Sequence, residues 1–223
     1  MLTGAGISTE SGIPDFRSPT GIWATVNPLE VASIEAFRRD PERVWSFYRT
    51  RIRSLLEAEP NAGHQALAEL ERRGLVEAVV TQNIDTLHSR AGSEQVVEVH
   101  GSIRVAECLR CLWRQDTDGV LAQLEERPAP LCEQCGEVLK PGVTLFGELL
   151  PTGAIERATE LARRAALMLV VGSSLEVWPV AGLALEARSL AIVNQGATAL
   201  DDRAVLTIDA PAGETLSALV AAV

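Results

Sequence analysis

The chain predicts a doubly wound α/β fold, a Rossmann-like parallel sheet with a smaller lobe made of a helical insertion and a four-cysteine zinc module. Three observations carry that expectation: short apolar runs rich in β-branched residues, helical patterns between them, and two Cys-x-x-Cys pairs that interrupt the alternation in mid-chain. The runs fall at residues 76–81, 96–100, 167–171, 190–193 and 205–208. They are continuous rather than alternating, which suits strands buried on both faces of a parallel sheet. Strand alternating with helix is the pattern of a doubly wound architecture.

Among the helices, Asp40 is a candidate N-cap with Pro41 at the first helical position, opening a helix to about residue 56; Asn61 caps a second that ends near Gly74. Further helices are expected at residues 151–164, 181–187 and 214–222. Two stretches break the rhythm. Residues 19–75 are mainly helical where a second strand would stand, and residues 105–142 hold the cysteines. Both read as insertions, so the Rossmann-like domain is assigned to residues 1–18, 76–104 and 143–223. A cleft between the lobes is the expected ligand site.

At 223 residues, 47% of them apolar, the chain is long enough to bury a substantial core, and no apolar run reaches the length that crosses a bilayer. A formal charge of -10 argues against nucleic acid, whose phosphate backbone calls for a basic face. Met1 is followed almost at once by a glycine loop, with no basic n-region and no apolar h-region. A reducing, cytoplasmic setting is expected, without a membrane partner.

All four cysteines lie in the pairs Cys108-Cys111 and Cys132-Cys135. Two intervening residues let one tight turn present both thiolates to a tetrahedral ion, and the second turn completes a Cys₄ zinc site. Two disulfides or buried thiols are the alternatives, and a reducing compartment disfavours the first. Four protein ligands leave zinc no open position, so its expected role is structural.

Near the start, Gly4 and Gly6 have the spacing that brings backbone amides to phosphate at a helix N-terminus. A dinucleotide fingerprint would have a third glycine at position 9, where Thr9 stands, and no clear acidic residue follows about twenty positions on. A longer pattern surrounds the loop. Residues 4–18 (GAGISTESGIPDFRS) closely resemble the first signature of the sirtuins, NAD-dependent protein lysine deacylases. Residues 81–88 (TQNIDTLH) and 98–102 (EVHGS) are similar to their second and third. The cysteine pairs, Phe146-Gly147-Glu148, Gly172-Ser173-Ser174 and Asn194 fall in the family's order, so the resemblance covers nearly the whole chain.

The resemblance implies that NAD is consumed as co-substrate. Gly4, Ala5 and Gly6 would approach its phosphates, with Arg17 as a fixed planar cation, Asp15 beside it and Phe16 shielding the nicotinamide side. Asp85 and Ile84 would recognise the carboxamide, Asn83 would orient ribose and an ordered water, and Gln82 would hold ribose. Gly172, Ser173 and Ser174 form a second phosphate-ribose loop, while Asn194, Gln195 and Ala212 match the adenosine end. Phe146, Gly147 and Glu148 match the segment that meets acyl-lysine protein substrates. Of the three histidines, His64 is expected at the surface or in a cap, and His88 to anchor its loop. His100, at a strand end, is the expected general base, since an imidazole titrates near neutral pH. In the family's reaction the acyl oxygen attacks the nicotinamide ribose carbon, nicotinamide leaves, and the base deprotonates ribose; lysine and acyl-ADP-ribose result.

Residues 44–51 (VWSFYRTR) resemble the sirtuin subclass that removes succinyl and malonyl groups, in which Tyr48 and Arg51 would bind the acyl carboxylate and Ala32 would widen the pocket. Tyr48 and Arg51 are three apart and share a helix face. The competing readings are a core tyrosine with a solvent-edge arginine, hence a general deacetylase; an NAD-dependent dehydrogenase; and a non-catalytic zinc module. Sirtuins have a helix and a complete strand before the glycine loop. Here only Met1, Leu2 and Thr3 precede it, so the central strand is expected to be almost missing.

Overall fold

The computed structural model describes residues 1–223. Its strands are β1 (Leu2–Thr3), β2 (Val79–Thr81), β3 (Val96–Glu98), β4 (Gly101–Glu107), β5 (Arg114–Asp116), β6 (Lys140–Val143), β7 (Met168–Val171), β8 (Leu190–Val193) and β9 (Leu206–Ile208). The helices are α1 (Pro28–Val31), α2 (Ile34–Arg39), α3 (Pro41–Glu57), α4 (Ala62–Arg72), α5 (Leu87–Arg90), α6 (Thr117–Glu126), α7 (Thr152–Arg164) and α8 (Ala212–Ala222). Six strands form one sheet in the order β3-β2-β1-β7-β8-β9, every neighbour pair parallel. Strands β5, β4 and β6 form a separate antiparallel sheet.

The central strand is present, though only two residues long. Leu2 pairs with Val80 and Val170, and Thr3 with Thr81 and Val171. Both are fully buried, and the ladder continues past them through Val80 N–H to Met1 O and Gln82 N–H to Thr3 O. The expected strand at 76–81 begins only at Val79, because Val76 N–H bonds back to Leu70 O at the end of α4. That at 96–100 stops at Glu98, since Gly101 turns the chain with φ +74°. The helix expected at 181–187 is a 3₁₀ stretch, Val180–Leu185, rather than an α-helix.

Helix α3 starts as its sequence dictates, with Asp40 accepting from Arg43 N–H at 3.0 Å and proline in the first turn. Its buried face is Val44, Trp45, Tyr48, Ile52 and Leu55, spaced so that they fall on one side. That face shares a single apolar core with Ile103, Val120, Leu124, Leu139 and Val143, so the helical insertion and the cysteine segment are packed together. The α4 start is a reciprocal cap: Asn61 Oδ1 accepts from Gly63 and His64 N–H, and His64 Nδ1 accepts from Asn61 N–H. His64 is therefore a capping residue, as expected, but it is not at the surface. It is wholly buried, its ring edge-on to His88 at 4.9 Å. His88 does anchor its segment, with Nε2 2.9 Å from Thr3 Oγ1 on the central strand.

Trp45 ties α3 to the lead-in of β6, its indole N–H donating to Leu139 O at 2.7 Å from a side chain 1% exposed. Trp45→Phe keeps most of the packing and orphans that carbonyl. Denaturant unfolding is expected to show a loss of about 1–3 kcal/mol, the cost of one buried unsatisfied group.

Candidate active site

The carboxyl ends of β1 and β7 meet, and the site is built on that meeting. Gly6 N–H donates to Gly172 O at 2.8 Å. A Cβ on Gly6 would lie 2.8 Å from Gly172 Cα, and one on Gly172, where φ is +63°, would lie 2.2 Å from Ile7 N. Gly4 N–H is donated to Val171 O. The amides of Gly4 and Gly6 are thus already satisfied by β7, and what these glycines contribute is clearance rather than the free donors the spacing suggested. Nor does the loop open an α-helix: residues Ala5–Ser11 form a 3₁₀ turn closed by Gly12 at φ +81°, with Thr9 Oγ1 donating to Gly6 O.

A cleft of ≈ 940 Å³ lies above these strand ends, between the parallel sheet and the smaller lobe. The structure brings into its wall every residue singled out for cofactor, base or substrate, from Gly4 to Ala212. It adds Ser8, Trp23, Phe47 and Trp178, to which the sequence pattern gave no role. Ser8 was hidden inside a motif notable for its glycines; of the aromatic residues only Phe47 lies on an α-helix, while Trp23 and Trp178 stand outside the motifs.

Under the cleft floor runs a buried polar network. Ser8 Oγ donates to Asp85 Oδ2 at 2.7 Å, Asn83 Nδ2 donates to Ser8 Oγ and to Gly4 O at 3.1 Å each, and Asp85 Oδ1 accepts Leu87 N–H at 2.9 Å. His64 Nε2 stands 3.4 Å from Ser8 Oγ. Burial pushes the His64 pKa down to about 4 against the opposing pull of Asp85 and Glu10, and that of His88 down to about 3. Both rings are neutral at pH 7, so neither forms an ion pair beneath the cleft floor.

His100 stands at the end of the β3 segment, its Nδ1 3.0 Å from Gln82 O. A carbonyl only accepts, so Nδ1 carries the hydrogen and Nε2 is left as the free acceptor. Burial holds this imidazole below its ordinary pKa; the Gln82 hydrogen bond opposes that shift and the Arg17 charge adds to it. Gln82 Nε2 in turn donates to Ser173 Oγ at 3.0 Å, linking the β2 and β7 loops. Asp15 acts as a loop staple, Oδ1 accepting from Arg17 and Ser18 N–H, while Arg17 reaches Glu176 across the cleft at 3.4 Å.

On the smaller lobe, Tyr48 and Arg51 face the cleft from α3. Burial raises the Tyr48 pKa, so the phenol keeps its proton. The Arg51 guanidinium lies 5.1 Å from the Phe16 ring centroid and 5.5 Å from that of Phe47, and forms no ion pair within the chain. Phe16 also packs on Trp23 at 5.0 Å. Opposite, Phe146 is held to the insertion by Phe146 N–H to Ala32 O at 2.8 Å and Ile34 N–H to Phe146 O at 3.0 Å. The Glu148 carboxylate points back from the cleft, accepting from Leu145 N–H and Lys140 Nζ.

Away from the cleft, the four cysteine sulfurs lie within 4.8 Å of one another. Cys108 to Cys135 and Cys111 to Cys132 are each 3.5 Å, too far for an S–S bond and near the roughly 3.8 Å edge of a tetrahedron with about 2.3 Å metal–sulfur bonds. The donor set fits a zinc ion.

A Sir2 family model matches residues 4–179. A protein of Sulfurisphaera tokodaii described as an NAD-dependent protein deacetylase is 46% identical over 223 residues, covering 98% of this chain and 88% of that one. One of Thermococcus kodakarensis described as an NAD-dependent protein deacylase is 50% identical over 183 residues, 81% of this chain and 71% of the other. Among solved structures, a Sir2 with a deacetylated p53 peptide and 3′-O-acetyl ADP-ribose superposes with a TM-score of 0.95 at 43% identity, covering 99% of this chain and 91% of its own. A Sir2 with p53 peptide and NAD superposes at 0.92, with 43% identity over 99% and 91% of the two chains. With a family model matched over residues 4–179, relatives 46–50% identical over most of the chain and a fold that superposes on solved Sir2 structures, the chain belongs to the Sir2 family of NAD-dependent protein deacetylases and deacylases.

Proposed function

We propose that this deacylase acts on lysine acyl groups that end in a carboxylate, succinyl and malonyl, and on acetyl as well. The observation that carries the reading is the Arg51 guanidinium: largely buried in the cleft, beside a protonated phenol, with no carboxylate of the chain to answer it. A buried cation without a partner is costly, and an acyl carboxylate would supply the partner in planar, bidentate form. Stacking on Phe16 and Phe47 favours the second reading, a general deacetylase, because it gives the guanidinium a place without substrate.

When bound, NAD supplies the ribosyl carbon to which the acyl oxygen transfers. The chain's own part is positional and protolytic. Phe16 and Trp23 wall water from the reacting centre, the Ser8-Asn83-Asp85 network fixes the floor, and His100 presents a free Nε2 to take a proton from a hydroxyl held in the cleft. At the far end of the smaller lobe, Cys108, Cys111, Cys132 and Cys135 would hold zinc and pin the two turns that flank α6.

His100→Ala should leave ADP-ribose affinity within a few-fold by calorimetry while turnover falls by roughly a hundredfold or more. Because burial lowers the His100 pKa, the base is neutral and active above that depressed value; the acid limb of the rate profile should therefore fall below the usual histidine range. Near wild-type turnover in His100→Ala would remove it from the base role.

Arg51→Met should cost roughly 2–5 kcal/mol in kcat/KM for succinyl-lysine peptide, the scale of leaving a buried charge unpaired, and much less for acetyl-lysine. Tyr48→Phe should act in the same sense with a smaller loss. Equal losses on both peptides would give the pair to folding and the enzyme to general deacetylation.

Cys132→Ala should lower both metal content, read by mass spectrometry of the native protein, and melting temperature. One zinc retained per chain with unchanged melting would contradict the structural site.

A further inference from the structure

Lys140 opens β6, and although it is a lysine its side chain is 2% exposed. Its ammonium donates to Pro141 O at 3.0 Å, to Val143 O at 2.8 Å and to Glu148 Oε2 at 3.1 Å, and lies 3.2 Å from Glu107 Oε1. The two carbonyls belong to the irregular part of the β4–β6 ladder, where the register slips between Gly101 and Ala106 and Pro141 has no N–H to give. The ammonium thus replaces ladder hydrogen bonds that the bulge removes.

Glu148 carries the restraint onward. The oxygen that meets Lys140 also accepts Leu145 N–H at 2.8 Å, which ties the turn Leu145–Glu148 shut, and Glu148 N–H closes it again on Leu145 O. Phe146 and Gly147, in the middle of that turn, form the cleft wall, and Phe146 is bonded on its other side to Ala32 and Ile34. At the opposite end, Glu107 precedes the first cysteine ligand, Cys108, and pairs in register with Lys140. One buried ammonium therefore stands between the cysteine cluster and the substrate wall.

We infer that Lys140 is a positioning residue for acyl-peptide binding: through Glu148 it sets the Phe146-Gly147 edge, while the nucleotide side of the cleft is held independently by β1, β2 and β7. The inference rests on the deacylase activity of the family and on no particular acyl group. Its consequence is selective, since a loosened edge weakens peptide capture while the NAD side stays on β1, β2 and β7 and the His100 ring stays on Gln82 O, although the His100 carbonyl also meets Thr144 N–H after β6.

The test is steady-state kinetics with acetyl-lysine peptide and NAD varied separately. Lys140→Met should raise KM for peptide by roughly tenfold, the scale of losing one charge-assisted hydrogen bond, with KM for NAD and kcat at saturating peptide changed less than about threefold. Lys140→Arg should recover most of the peptide KM. A folded Lys140→Met enzyme with unaltered peptide KM, or one whose NAD KM and kcat deteriorate in step with it, overturns the assignment. Should Lys140→Met not fold, Glu107→Gln and Glu148→Gln decide the matter: each removes one carboxylate from the ammonium, but only Glu148 reaches Leu145. Positioning requires peptide KM to rise in Glu148→Gln alone; equal effects in the two variants overturn it. An inactive wild-type control would refute the deacylase reading instead, so the two failures are distinct.

Discussion

The cleft depends on how closely two strand ends can approach. Where β1 and β7 leave the sheet, the backbones of Gly6 and Gly172 touch through a hydrogen bond of 2.8 Å, with no room for a Cβ on either. Because the strands are parallel and adjacent, their outgoing loops diverge from this one contact and open the crevice in which ligands of open α/β sheets bind. The shortness of β1 is tolerable for the same reason. Two residues with neighbours on both sides, continued by bonds from Met1 and Gly4, set the register of β1 against β2 and β7 together.

The smaller lobe answers a different requirement, that of holding a wall at fixed distance from the sheet. Strand β4 begins next to His100 and ends next to Cys108, and β6 returns from the cysteine segment with Thr144 N–H bonded to His100 O. His100 and the cysteine cluster are thus ends of one rigid rung. Helix α3 is fastened to this rung by Trp45, and from the same helix Tyr48 and Arg51 reach the cleft. The cysteine cluster, although well away from the cleft, still bears on its wall, because the lobe has a single core.

Much of this was legible in residue order. The glycine loop, the TQNID segment after β2 and the paired cysteines are local patterns, and a strand end delivers its outgoing loop to the cleft whatever the rest of the chain does. The strand runs and the starts of α3 and α4 were readable from apolar periodicity and capping chemistry. What escaped was set by contacts between distant segments. Whether the Gly4 and Gly6 amides are free depends on β7, some 165 residues later; that His64 is buried depends on Ser8 and His88 closing over its cap. The 3₁₀ form of Val180–Leu185 and the role of Glu148 as a tie rather than an open carboxylate are likewise tertiary facts.

Lys140 has one more property, visible only when its burial is set beside the composition. It is the sole lysine of the 223 residues; every other side-chain cation that stays charged at neutral pH is an arginine. Thioesters and acyl phosphates modify amines that solvent can reach, and a guanidinium is a poor target for them. This member of a protein deacylase family therefore exposes, among residues 1–223, no lysine side chain on which such groups could settle.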